Sequence, residues 1–255
     1  YYISAYCDLL AQGAVTEGEP VNFCVPTGNF GNILSAFYAK EMGLPIGRLL
    51  CASNSNNVLT DFIATGKYDR NRPFYNTVSP SMDILISSNL ERLLYLLSGG
   101  DDKLVAGYMK ELSDTGCYQV SEEMRKKIQS VFVGGFSSEA ETEATIGKMM
   151  DEHKYLIDTH TAVAFHVLEQ YRKETGDQTK TVVASTASPF KFCDAVLDAL
   201  NVTDKATGTA LLDQLAEVSG MPAPQPLATL KDKQVRFTSW TEKEQMRAVV
   251  TDFLK

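Results

Sequence analysis

An α/β fold with a mostly parallel sheet flanked by helices is what this sequence predicts, on three observations. Short apolar runs at residues 21–25, 46–52 and 181–184 alternate with helical patterns of about ten residues or more. Two of these runs lead directly into loops of small residues, 26–32 and 185–189, as strand ends do where a parallel sheet binds ligands. The 255 residues, 44% of them hydrophobic, suffice for one large core.

The elements follow in order. Tyr2, Ile3, Tyr6, Leu9 and Leu10 recur at helical spacing, and Gly13 offers a stop. The strand at 21–25 and the loop after it precede a helix at 33–42. A second strand at 46–52 is followed by a short helix at 56–65 and a turn at 66–72 ahead of Pro73. The apolar residues Ile84, Leu85, Leu90, Leu93, Leu94 and Leu97 predict a helix over 84–97. Polar amphipathic helices are expected at 101–112 and 121–130, and a brief strand at 131–133. Ser138 with Glu141 three residues on reads as a capping box for a helix through Met150. A helix at 159–175, the strand at 181–184 and a helix at 192–200 complete the alternation. Pro222, Pro224 and Pro226 predict an extended linker, and 242–254 a last helix. Residues 205–255 are thus expected as a helical extension packed on a single large domain spanning 1–255.

The formal charge of -8, from 32 acidic and 24 basic residues, argues against nucleic acid as a partner. The one basic run, Arg125 to Lys127, follows Glu122 and Glu123 and reads as a solvated helix face. Five cysteines without a CxxC pair predict buried, reduced thiols and a cytoplasmic setting rather than disulfides or zinc. His160 and His166 do not share a helix face, so no metal site is expected. No apolar run reaches the roughly 20 residues of a membrane span. The tyrosines near the start and Trp240 read as core and edge residues, since no basic groups accompany them as a nucleic-acid platform would require.

The glycine loop carries the most chemistry. Gly28 and Gly31 let backbone approach an anion closely, and the helix that follows supplies unpaired N–H groups at its positive end. Thr27, Asn29 and Asn32 can add side-chain hydrogen bonds. The loop has neither the Lys-Ser/Thr ending of an ATP or GTP loop nor the GxGxxG spacing of an NAD loop. A bound phosphate and a plain tight turn both remain open on these residues alone.

The segment from VNFCVPTGNFGN through CASNSNNVLTDFIATGKY resembles the phosphate-cradling region of threonine synthases. The resemblance continues through SPSMDI, SSNLER, DTHTAVA and STASPFKF, in family order and across most of the chain. It implies the large domain of a fold type II pyridoxal-phosphate (PLP) enzyme, with a tryptophan synthase beta-like architecture. Thr27, Gly28, Asn29, Phe30, Gly31 and Asn32 would then hold the cofactor phosphate. Thr186, or second Ser185, would face the pyridine nitrogen. Such a hydroxyl suits chemistry that does not demand a fully protonated ring.

Ser88, Asn89 and Arg92 fall in a stretch the family uses near the substrate phosphate, although Arg92 beside Glu91 also fits a surface ion pair. His160 would either reach the site or cap a helix with Asp158 or Thr159. Ser188 stands where many family members have His, so no catalytic duty is assigned to it. Lys191 is expected to pack its stem on Phe190 and Phe192, with its charge in water.

In the family the Schiff-base lysine lies upstream of the glycine loop. Here about twenty residues precede that loop, none of them lysine. The expectation is therefore a C-terminal portion without its catalytic lysine, needing the missing N-terminal part as partner. The parent would convert O-phosphohomoserine and water to threonine and phosphate. The alternatives are another lyase of the fold, such as threonine dehydratase or cysteine synthase, and a non-catalytic phosphate or phosphoamino-acid binding protein.

Overall fold

The structure is a computed structural model that describes residues 1–255. α1 (Tyr2–Ala11) turns Tyr2 and Tyr6 inward. It leads to β1 (Val21–Pro26), buried at every position as a central strand must be. After α2 (Gly31–Glu41) come β2 (Ile46–Ser53), α3 (Val58–Thr65) and the short β3 (Lys67–Asp69). α4 (Leu90–Leu97), α5 (Asp102–Thr115), β4 (Cys117–Gln119), α6 (Glu122–Val131) and β5 (Phe132–Phe136) follow. α7 (Glu139–His153), α8 (Thr159–Thr175), β6 (Thr181–Val183) and α9 (Cys193–Ala199) complete the main body. The remaining helices are α10 (Ala210–Ser219), α11 (Gln225–Ala228) and α12 (Met246–Phe253).

Four strands form an all-parallel sheet in the order β5-β2-β1-β6. Alternation along the strands divides the core between its two faces. Phe23, Val25, Leu49, Cys51 and Phe132 join the aromatic and aliphatic side chains of α1, α2, α3 and α4. Cys24, Leu50 and Ala52 point the other way, against Val163, Val167, Leu168 and Tyr171 of α8. A third cluster joins α9 and α10 through Val196, Leu197, Leu212 and Leu215. The capping box at α7 forms as its sequence indicates: Ser138 Oγ accepts from the Glu141 N–H and Glu141 Oε2 from the Ser138 N–H.

Several local expectations change. The helix expected over 84–97 begins only at Leu90. The buried Tyr68 hydroxyl accepts from the Ser87 N–H at 2.7 Å and donates to the Leu85 carbonyl at 3.0 Å. Those bonds hold residues 85–87 in an irregular path despite their apolar spacing. The turn at 66–72 contains β3, which pairs antiparallel with β4; Tyr68 stacks on Tyr118 with ring centroids 5.3 Å apart. The strand expected at 131–133 runs instead over Phe132–Phe136, pairing with β2 along its length. Pro226 sits in the first turn of α11, where its missing N–H costs nothing, so the proline segment is not extended throughout. Cys24, Cys51 and Cys193 are buried, but Cys7 faces solvent. α12 buries none of its residues, and Trp240 and Phe253 are exposed. No helix is long and apolar enough to cross a membrane.

Candidate functional site

Both small-residue loops emerge at the carboxyl edge of the sheet, one from β1 and one from β6, because adjacent parallel strands end on the same side. In the first, Phe30 adopts a left-handed conformation with φ 63° and swings the chain from strand into α2. Its ring is nearly fully buried and packs 5.4 Å from that of Phe132, which anchors the turn in the core. The backbone N–H groups of Gly28 through Ile33 donate to no protein acceptor, leaving an arc of free donors at the start of α2.

The glycines are required by what lies behind the loop. A Cβ on Gly28 would sit 2.9 Å from the Ser81 carbonyl oxygen and 3.0 Å from Met82 Cα. One on Gly31 would sit 3.1 Å from Asn89 Nδ2. Ser87 Oγ donates to the Gly28 carbonyl at 2.9 Å, Ser88 N–H to Asn29 Oδ1 at 2.7 Å, and Asn89 Nδ2 to the Asn29 carbonyl at 2.7 Å. Arg92 in turn donates to Asn89 Oδ1. Thr27 is buried, its hydroxyl donating to the Val25 carbonyl at 2.7 Å.

A cleft of about 520 Å³ joins the two loops. Asn32, Ser185 and Thr186 provide its polar groups, while Tyr2, Phe23, Val182 and Ala184 provide apolar walls. Tyr2 donates its hydroxyl to Asn32 Oδ1 at 2.8 Å, which leaves the Asn32 amide N–H groups free. Arg92 lies elsewhere: with Tyr38, Tyr95 and Leu96 it lines a separate hollow, and it reaches the glycine loop only through Asn89. The residues grouped as substrate contacts therefore do not all converge on the cleft.

His160 lies behind the site, nearly fully buried. Its Nε2 accepts the Ser81 N–H at 3.3 Å, its Nδ1 lies 3.0 Å from Asp158 Oδ1, and its ring packs 4.8 Å from that of Phe192. Both ring nitrogens are thus engaged within the protein. Asp158, fully buried, is the N-cap of α8 and accepts from the N–H groups of His160 and Thr161. Burial alone would push its carboxyl up, but hydrogen bonds from the His160 and Thr161 side chains and the His160 backbone outweigh burial and hold it below the usual aspartate value. Ser188 is a cap, accepting the Phe190 N–H at 3.3 Å.

No lysine lines the cleft. Lys40 donates to the Ile46 carbonyl, and Lys191 Nζ lies 5.9 Å from the centre of the Phe192 ring. Sequence reasoning missed the polar box beneath the site. There Asn54 Nδ2 donates to Asp83 Oδ1 at 2.7 Å, Thr77 Oγ1 to the same oxygen at 2.6 Å, and Asn56 Nδ2 to the Tyr75 carbonyl at 2.8 Å. This box fixes residues 75–83 and presses Ser81 and Met82 against Gly28. Its signal was the Ser53-Asn54-Ser55-Asn56-Asn57 run directly after a buried strand, where so many amides need buried partners.

A family model described as "Threonine synthase, C-terminal" matches residues 161–250. The chain is 43% identical to Threonine synthase-like 1 of Macaca fascicularis over 87% of its own length and 30% of that protein's. It is 39% identical to the threonine synthase of Saccharomyces cerevisiae, covering 72% of this chain and 39% of that one. Its fold superposes on the PLP-bound threonine synthase of Brucella melitensis with a TM-score of 0.81 and 35% identity, over 100% of this chain and 48% of that one. The chain thus spans less than half the length of each of these three relatives. Its parallel α/β architecture and these matches together show that the chain belongs to the threonine synthase family of fold type II PLP enzymes.

Proposed function

We propose that this chain provides the phosphate-cradling and ring-facing side of a PLP site in a threonine synthase. The observation that carries the reading is a run of unpartnered N–H groups, Gly28 to Ile33, whose member Asn32 lines the same cleft as the hydroxyl-bearing Ser185 and Thr186 of the other loop. That donor set fits the cofactor: N–H groups and the positive end of α2 suit a phosphate, and Ser185 and Thr186 suit a ring nitrogen.

In this reading the N–H groups of Gly28 to Ile33 and the Asn32 amide bind the phosphate. Tyr2, Phe23, Val182 and Ala184 exclude water from the ring. Ser185 and Thr186 would offer their hydroxyls to the ring nitrogen. When bound, PLP supplies an electron sink for carbanions beside the amino group, the chemistry needed to release phosphate from O-phosphohomoserine and add water. The lysine that would hold the cofactor aldehyde is assigned to the length of the relatives that this chain does not match.

The test is a PLP titration of the purified chain, followed by borohydride reduction and peptide mapping. Saturable binding that inorganic phosphate displaces, with no single lysine labelled, is expected. Absence of phosphate-competable binding would sink the site. Quantitative labelling of one lysine would instead overturn the assignment of that residue to another segment.

A further inference from the structure

We propose that the hollow between residues 77–80 and the helices α10 and α11 is a second ligand site, which takes a small carboxylate with an apolar body, pairs it with Lys191 and reports to the glycine loop. The site itself is independent of the PLP reading; only its meaning as an effector site rests on that reading.

The hollow measures about 690 Å³ and shares no lining residue with the cleft. Its size falls within the roughly 300–1,000 Å³ typical of small-molecule sites. Its floor is apolar: Phe190 and Leu212 are buried beneath it, Phe192, Leu211 and Leu227 are half-buried, and Leu230 is exposed. The hydrocarbon of a ligand would remove that half-wet apolar surface from water.

Charge selects the rest of the ligand. Two charged side chains line the hollow, Lys191 and Asp194. Asp194 is already engaged, because Lys205 Nζ bridges it and Asp198 at 2.7 Å from each. Lys191 pairs with no carboxylate, and its Nζ rests 5.9 Å from the centre of the Phe192 ring. One cation without an ion-pair partner beside apolar walls suits a single negative charge on an apolar body. A dianionic phosphate would bring a second charge that nothing here meets, and an ammonium group would be repelled by Lys191.

Two walls of the hollow end on Ser81. Thr77, Val78 and Pro80 belong to the segment that Asp83 fixes through the Thr77 N–H and hydroxyl. The next residues, Ser81 and Met82, stand directly behind Gly28. On the other side Phe192 packs 4.8 Å from the ring of His160, whose Nε2 accepts the Ser81 N–H. A ligand wedged between these walls and α10 and α11 stiffens the support behind the glycine loop. By linkage, an occupied glycine loop strengthens binding in the hollow in return.

Calorimetric titration of the purified chain with decanoate, kept below its micelle-forming concentration, tests the site, with decanol and decyltrimethylammonium as uncharged and cationic controls. Saturable one-to-one binding of decanoate is expected, about fivefold tighter than decanol, the worth of an ion pair at a half-open site. Lys191→Met, which keeps an apolar stem, should bring decanoate down to the affinity of decanol, and Lys191→Arg should restore the difference. Leu230→Glu, at an exposed position that folding can spare, should set a negative charge on the rim and weaken decanoate binding further. Equal affinity for all three probes, or decanoate binding indifferent to Lys191→Met, overturns the proposal. In ¹⁵N NMR spectra the Gly28 and Ser81 amides should shift along the same saturation curve; amides that stay in place overturn the link to the loop. Decanoate that converts a dimer into monomers in sedimentation would give the hollow to a second copy and overturn the small-molecule assignment. Failure of the chain to bind PLP would count against the proposed function and leave each of these readouts intact.

Discussion

The two loops of the cleft are built on different principles. The loop at 26–32 is shaped by backbone: its glycines let Ser81, Met82 and Asn89 approach closely, and its donors are main-chain N–H groups. The loop at 185–188 is shaped by side chains, with Ser185 tied to Thr161 and through it to a charge that never meets solvent. A loop of the first kind fails when volume is added behind it, and one of the second kind when a distant polar partner is removed.

The largest effect should follow removal of that partner. Asp158→Ala deletes the cap of α8 and leaves the His160 and Thr161 donors unpaired in the interior, a cost of roughly 2–4 kcal/mol in unfolding free energy. Denaturant unfolding checks it, and a loss below about 0.5 kcal/mol, the ordinary range of surface substitutions, would show that the buried network is not under tension. The pH dependence has a definite sign. The folded carboxyl sits below the usual value near 3.8, so the stabilisation is fully present above that pH and fades as pH falls through the lower folded value. The gap between wild type and Asp158→Asn should therefore narrow in acid; a gap that widens there would reverse the assignment.

Next in size is Gly28→Ala. The new methyl would meet backbone, the Ser81 carbonyl and Met82 Cα, which the Asn54, Thr77 and Asp83 box prevents from yielding. The overpacking should cost about 1–3 kcal/mol of stability. It should also weaken PLP binding by more than about tenfold, the equivalent of one such misplaced contact. Equilibrium dialysis with unaltered affinity would detach Gly28 from the cradle.

These differences also explain what could be read from sequence. The strand-to-helix turn at 26–32 was legible because Gly28 and Gly31 fall between an apolar run and a helical pattern, and the structure shows both glycines closely backed by other segments. Strands β1 and β2 were legible as apolar runs, and the α7 cap as a local pattern at fixed spacing. The contacts that link Asp158 through Thr161 to Ser185 were not, because they join residues up to 27 positions apart that share no local motif. The start of α4 was misplaced because the Tyr68 hydroxyl, a tertiary partner, overrides the apolar spacing of residues 84–89. Arg92 shows the same limit: its neighbours Ser88 and Asn89 reach the loop, but its own side chain lines a different hollow.

Gly31→Ala should have the smallest effect, and it sharpens the comparison most. Its methyl would meet only the Asn89 amide at 3.1 Å, the end of a side chain that can rotate. Moving it forfeits the 2.7 Å bond to the Asn29 carbonyl, about 1 kcal/mol, and alanine recovers about 0.4–1 kcal/mol by restricting the unfolded chain. The two terms nearly cancel, so the melting temperature should barely move. The Gly31 N–H stays in place, while Asn29 and Arg92 lose their common anchor, and PLP affinity should fall only about threefold, less than one ordinary hydrogen bond. If Gly31→Ala proved as damaging as Gly28→Ala, side-chain and backbone walls would be equally stiff here, and the contrast between them would not survive.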